Sequence, residues 1–256
     1  MENYGLQTLK KRIPSMKGIK RMIDVLYIKG KISPNYDEEM KYSLRSLEKY
    51  VSDVGRVFIT GDCPLFVNKS TVIHTLENDI GVPTINHWWK VSQTIKKTDI
   101  SQKFVLMYDD IFFVKPTKLE NYPFYCKGKL EDKPFEGIYR KSCGKAYEWL
   151  KIHGETTADC ELHIPCIYDR DKFLELDKIY EPIKDKKDGM VVRSVYGNKF
   201  KYSMPYRKDI KIRLSTETVE QVIGDADCFS VSDWVFNNNV YPWLKEHFPE
   251  RSKYEK

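Results

Sequence analysis

The feature that most limits the fold of this chain is an alternation of short β-rich runs with longer stretches of helical periodicity. "MIDVLYIKG" (residues 22–30) is an apolar run stopped by glycine, the pattern of a buried strand. "SPNYDEEMKYSLRSLEKYV" follows, with Met40, Leu44, Leu47 and Val51 at helical spacing. Asn35 with Glu38 three residues later predicts a capping box at the start of that helix. "RVFITGD" (residues 56–62) reads as a second strand, "STVIH" as a third, and "INHWWKVSQTIKK" as a helix. "KFVLMYDDIFFV" is then a strand, an acidic turn and a second short strand. Strand–helix–strand alternation of this kind predicts an α/β fold with a mixed, mostly parallel sheet flanked by helices. Ligands of such sheets bind at the carboxyl ends of the strands, which is where Asp109 and Asp110 fall.

The second half is less regular. "CGKAYEWLKIHG" predicts a helix closed by Gly154, and "ELHIPCIYDRDKFLELDKIY" a loop that enters a helix near Asp171. "STETVEQVIG" predicts a helix capped by Ser215, with an incomplete box because Thr218 stands three residues on. "CFSVSDWVF" opens a short strand and a further helix, and "IKDKKDG" (residues 183–189) reads as a solvated basic loop.

Two adjacent aspartates after a buried strand are either an exposed acidic turn or a pair of hard oxygen ligands for Mg²⁺ or Mn²⁺. A cation there would neutralise a diphosphate and ease its departure. His163 and Arg193 are the other candidates, the latter because a guanidinium fork matches phosphate. Several classes are excluded. There is no phosphate-cradling G-x-x-x-x-G-K-[ST] loop, no G-x-G-x-x-G after the first strand, no G-x-S-x-G elbow and no H-E-x-x-H. The six cysteines contain no C-x-x-C pair and read as scattered reduced thiols. The net charge of +6 is mild and suits anionic substrates, nucleotides or nucleic acid alike. No run approaches the roughly 20 apolar residues of a membrane span, and no apolar signal core precedes Met22, so a cytoplasmic protein is expected.

Taken in order, these segments resemble the Stealth family of sugar-phosphate transferases. The residues that carry the likeness are "IDVLYIKG", "EEMKYSLRSLEKYVSDVGRVFITGD", "PTINHWWKVSQTIKKTDISQKFVLMYDDIFFVKP", "LHIP" with "VVRSVYGN", and "CFSVSDWVF" with "FPERSKYE". "YSLRSLEKY" and "FPERSKYE" are the most specific pieces, and the match runs from about Ile23 to Glu255. The resemblance implies a GT-A-like, Rossmann-like nucleotide-sugar-binding fold. It implies Asp110 as the acidic catalytic residue, Asp109, Asp110 and Asp233 at a Mg²⁺ or Mn²⁺ ion, and His163 and Arg193 at the donor phosphates. Asp24, Arg45, Asn86 and Tyr108 would bind the nucleotide sugar, Asp24 at the end of the first strand. The sequence departs from the family pattern in four places. Tyr108 stands for the Asn of an N-D-D motif, Ser232 for an Asn, "IKGKISPN" for the usual T-W-V-[DN]-G, and "NHWWK" keeps only Asn86 of an Asn-Ser pair.

The expectation is a single transferase domain over residues 1–256. It comprises a basic segment 1–21, a nucleotide-binding half 22–126 and an acceptor and catalytic half 127–256. It would use a metal ion and a nucleotide-diphosphate sugar, and move hexose-1-phosphate, or the sugar, to a hydroxyl acceptor such as a glycan. Two further readings stay open. The basic clusters at residues 10–20 and 184–187 suit a glycosyltransferase acting on a modified nucleic-acid base. The departures at Tyr108 and Ser232 suit a nucleotide-sugar-binding module without activity.

Overall fold

The computed structural model describes residues 22–30, 35 and 37–256. The basic segment 1–21, with its lysine cluster, lies outside the described residues. The chain runs β1 (Ile23–Lys29), α1 (Glu38–Tyr50), β2 (Val54–Gly61), β3 (Val72–Thr75), α2 (Pro83–Lys97), β4 (Lys103–Tyr108) and β5 (Ile111–Phe113). It continues through α3 (Gly137–Ile152), β6 (Cys166–Asp169), α4 (Arg170–Glu175), α5 (Asp177–Tyr180), α6 (Val192–Lys199), β7 (Lys211–Ile212), α7 (Val219–Ile223), β8 (Cys228–Val231) and α8 (Tyr241–His247).

The main sheet has the order β3-β2-β1-β4-β6. Its first four strands are parallel and β6 is antiparallel to β4. A smaller sheet, β5-β8-β7, continues from the acidic turn. This is the mixed, mostly parallel α/β arrangement predicted from the sequence, and it fits a GT-A-like, Rossmann-like fold. The strands read as unbroken apolar runs because both faces of the sheet are covered. Leu26, Phe58, Phe104 and Leu106 point to one side, against Trp88, Val91 and Ile95 of α2. Val25, Tyr27, Val57, Ile59, Val105 and Met107 point to the other, against Met40, Leu44 and Leu47 of α1. The two-residue period of a strand thus splits one apolar run between two cores.

The sheet also fixes where a ligand can sit. The chain builds outward from β1 through β2 and β3, then crosses back to lay β4 on the other flank of β1. The crevice at the carboxyl ends of β1 and β4 is therefore the topological switch point. Gly61 ends β2 beside it with φ of 100°, and a Cβ there would lie 2.0 Å from the Lys29 carbonyl oxygen. Only glycine allows that close approach.

Four details differ from the sequence reading. The helix α1 begins after Asp37, which is left-handed at φ of 62° and makes no side-chain cap. Asn35 instead spends its carboxamide on Glu39 and on the Asp233 carbonyl at 3.2 Å, so the capping box is not formed. The N-cap of α7 is Thr218, not Ser215, with Gln221 completing the box. The "HIPCIYD" stretch contains β6 rather than loop alone.

The fourth concerns Asp24, which was expected at the ligand end of β1. It is the second residue of that strand, at the opposite edge of the sheet from the switch point. It is buried and accepts from Arg56 N at 2.9 Å and Nη2 at 2.8 Å, and from Ser101 N at 2.9 Å and Oγ at 2.8 Å. Burial pushes its pKa up, but these hydrogen bonds outweigh that and hold the carboxyl below its ordinary value. Asp24→Ala is expected to cost about 2 kcal/mol in urea unfolding and to leave ligand affinity at the distant cleft unchanged.

Candidate functional site

At the switch point β1 ends in Ile28 and Lys29, with Gly30 just beyond, and β4 ends in Tyr108. The chain then turns through Asp109 and Asp110 into β5. The turn is held between two sheets, so the aspartates are fixed by strands on both sides. Two hollows meet here. One, of about 300 Å³, is lined by Asp109, Asp110, His163, Lys211 and Asp233. The other, of about 400 Å³, is lined by Ile28, Gly30, Lys90 and the first turn of α2, including Thr84, Asn86 and His87. Tyr108, Tyr139 and Glu161 line both, which makes them one cleft.

The Asp110 carboxylate organises the smaller hollow. Its Oδ2 lies 3.1 Å from His163 Nδ1 and accepts from Lys211 Nζ at 2.8 Å. Lys211 Nζ is also 3.0 Å from His163 Nδ1. Burial alone would raise the Asp110 pKa, but His163 and Lys211 together hold it well below the usual carboxylate range, so it is ionised. Its Oδ1 is buried with no hydrogen-bond partner among the described residues. Asp109 behaves differently. Its Oδ2 is 3.1 Å from Lys29 Nζ, which also pairs with Asp37 at 2.9 Å. Burial pushes the Asp109 pKa up to about 6, against the pull of Lys29. Two neighbouring carboxyls are thus driven apart by their surroundings.

Arg193 was expected to face phosphate. It is buried, with 1% of its surface exposed, and lies behind the cleft wall. Its Nη1 donates to the carbonyls of Leu162 and of Ile164, the latter at 2.9 Å. Those are the residues on either side of His163, so Arg193 fixes the backbone that carries the imidazole. Its guanidinium also covers the Tyr108 ring at 4.6 Å. Asp209 accepts from His163 N at 2.9 Å and holds the same loop from the other side.

Tyr108 separates the two hollows. Its hydroxyl is 3.0 Å from His87 Nδ1. Burial, with Arg193 nearby, pushes the His87 pKa down to about 3, so its imidazole is neutral and can take the Tyr108 hydroxyl proton in a hydrogen bond. Two of the four places where the sequence departs from the Stealth pattern, "YDD" and "NHWWK", are therefore in contact.

The remaining candidates divide. Asn86 lines the larger hollow, but its carboxamide is used within the loop before α2, accepting from Ile80 N and Gly81 N at 2.8 and 2.9 Å. Asp233 lines the smaller hollow at the start of a short 3₁₀ turn. Arg45 is not at the cleft. Its guanidinium makes a fork to Glu255 at 2.8 and 2.7 Å and reaches the Phe248 carbonyl at 2.8 Å. It joins "YSLRSLEKY" to "FPERSKYE", so the two most specific segments of the sequence meet as a structural clasp. Lys29, Lys211, Glu161 and Tyr139 belong to the site without having been read from the sequence. Lysines in ordinary polar context carry no pattern, and β7, which presents Lys211, is two residues long.

A Mg²⁺ or Mn²⁺ ion needs several oxygen donors converging on one point. Among the described residues no three His, Cys, Asp or Glu side chains gather into a group that could hold a metal. Asp109 and Asp110 turn to separate lysines. The residues therefore do not fit the expected Asp109, Asp110 and Asp233 centre, and no chemical step is drawn through a metal.

No family model matches the sequence. An 89-residue stretch is 30% identical to an exopolysaccharide phosphotransferase of Nocardia farcinica. That stretch is 32% of this chain and 18% of the relative, so the chain spans less than a fifth of that protein's length. Among the described residues no helix is long and apolar enough to cross a membrane.

Proposed function

We propose that the cleft belongs to a transferase that moves a sugar phosphate from a nucleotide-diphosphate sugar to a hydroxyl of a glycan. The observation that carries this is the Asp110, His163 and Lys211 cluster at the switch point of the sheet. The resemblance to the Stealth family and the name of the Nocardia relative support phosphate transfer and a polysaccharide setting.

In this reading the nucleoside half of the donor takes the larger hollow, beside the first turn of α2 and the ring of Tyr108. The sugar phosphate takes the smaller one. Ionised Asp110 holds His163 by Nδ1–H and leaves Nε2 to receive the acceptor proton. The acceptor oxygen attacks the phosphorus that bears the sugar, and an O–P bond forms. The P–O bond to the nucleoside monophosphate breaks, and the proton passes to His163. Lys211 stands beside the charge that develops on the phosphoryl oxygens. The base is thus His163, with Asp110 holding it, rather than Asp110 itself.

The released nucleotide tests the reading. Purified protein with a panel of nucleotide sugars and an oligosaccharide acceptor is expected to yield nucleoside monophosphate, followed by ³¹P NMR. Release of nucleoside diphosphate alone would replace phosphate transfer by sugar transfer. Calorimetric binding without turnover would leave the inactive module.

A further inference from the structure

Beyond the cleft the surface carries an apolar groove beside Leu65 and Phe66 and a basic groove along α3. Nothing in the structure says what would cover either. The aspartate turn carries more. Resting on the proposed donor, we infer that the counter-charge of the aspartate pair is built into the chain. Lys29 and Lys211 stand where a divalent cation would be expected, and the site takes up a diphosphate without a metal ion.

The geometry at Asp109 is that of an internal ion pair. Lys29 Nζ sits between Asp37 Oδ1 at 2.9 Å and Asp109 Oδ2 at 3.1 Å, with 2% of the side chain exposed. These are ammonium distances, about 1 Å longer than oxygen to Mg²⁺. The backbone of Lys29 is equally fixed. Its carbonyl accepts from Lys90 Nζ at 2.8 Å and is crowded by Gly61. Lys29 thus balances the Asp109 carboxylate from its buried side, before any cation in the hollow reaches it. Lys29 is therefore a structural counter-ion, not a ligand contact.

Lys211 plays the second part. It comes from the other sheet, pairs with Asp110 at 2.8 Å and lines the smaller hollow. Its ammonium has three donors, of which one is spent on Asp110. Among the described residues it is the lysine that lines the smaller hollow, so phosphate oxygens there would meet it. Its chemistry is that of a phosphate-binding point charge.

The test uses the full chain freed of metal by chelation, with Mn²⁺ alone and inorganic pyrophosphate as the probes. The Mn²⁺ electron paramagnetic resonance signal should have the same amplitude with protein as in buffer. Pyrophosphate affinity by calorimetry should agree within about threefold between EDTA and Mn²⁺, since Lys211 supplies the charge. Lys211→Met should weaken pyrophosphate at least about tenfold, the loss of one charge-assisted contact. Capture of Mn²⁺ that Asp110→Asn abolishes would overturn the inference. So would pyrophosphate binding that appears only with Mn²⁺, or affinity unchanged in Lys211→Met. If pyrophosphate binds in neither buffer, the donor reading falls and the Mn²⁺ signal alone decides whether the lysines complete the site. A circular dichroism spectrum keeps a misfolded Lys211→Met from being read as a binding loss.

Discussion

Asp110→Asn is expected to lower turnover by about a thousandfold or more while leaving the fold intact. Asparagine keeps the shape of the side chain but removes the charge that holds His163 and Lys211. With an amide in place of the carboxylate, His163 no longer has a fixed acceptor for Nδ1–H, and its Nε2 is no longer presented as a base. The same substitution has an equilibrium signature. The folded pKa of Asp110 is depressed, so its contribution to stability is present above the unfolded value, near pH 3.9, and is lost as pH falls through the folded value. Wild-type stability should therefore fall below about pH 4, and Asp110→Asn should flatten that acid limb. Single-turnover rates and unfolding curves from pH 2 to 7 measure the two effects separately. Undiminished turnover would remove Asp110 from the chemistry.

Arg193→Ala carries the largest expected loss of stability, about 3–5 kcal/mol. It empties a fully buried volume and leaves the Leu162 and Ile164 carbonyls without their donor. It also frees the loop that carries His163. The kinetic expectation follows from that position. Turnover should fall about a hundredfold through misplacement of the imidazole, with the KM for the donor nearly unchanged. A guanidinium that touched phosphate would instead raise KM on removal. Because the alanine variant can fail to fold, Arg193→Lys is the working control. It keeps the buried charge and can reach one of the two carbonyls, so it should recover part of the stability and part of the rate. Equal damage to KM in the lysine variant would return Arg193 to the donor phosphates.

The fold was legible because its signals are periodic and long. Both-face burial writes β1, β2 and β4 as apolar runs, and α1 and α2 carry one apolar stripe each. Where the signal is short it fails. β6 is four residues, and its apolar positions look the same as those of a packed loop. In the site, Asp109, Asp110 and His163 were legible because they stand out against apolar surroundings and proline. Lys29 and Lys211 were not, because their meaning lies entirely in a partner far away in sequence, Lys211 being 101 residues from Asp110. Asp24 was placed at the wrong end for a simpler reason. A parallel strand binds ligands at its last residues, and those are Ile28 and Lys29. Arg45 lies in a segment that carries the resemblance, and its guanidinium serves the Glu255 clasp away from the cleft, a partner 210 residues off that no local pattern announces.

The Tyr108 and His87 pair also decides what either position can tolerate. Asparagine at position 108 would take the Tyr108 hydroxyl from His87 Nδ1, and Nε2 of that buried imidazole already has no partner among the described residues. A different residue at position 87 would strand the Tyr108 hydroxyl under the guanidinium of Arg193. Either change made alone leaves a buried polar atom unpaired, so the energies of substitutions at positions 87 and 108 are expected to be coupled, and a double-mutant cycle across the pair should depart from additivity.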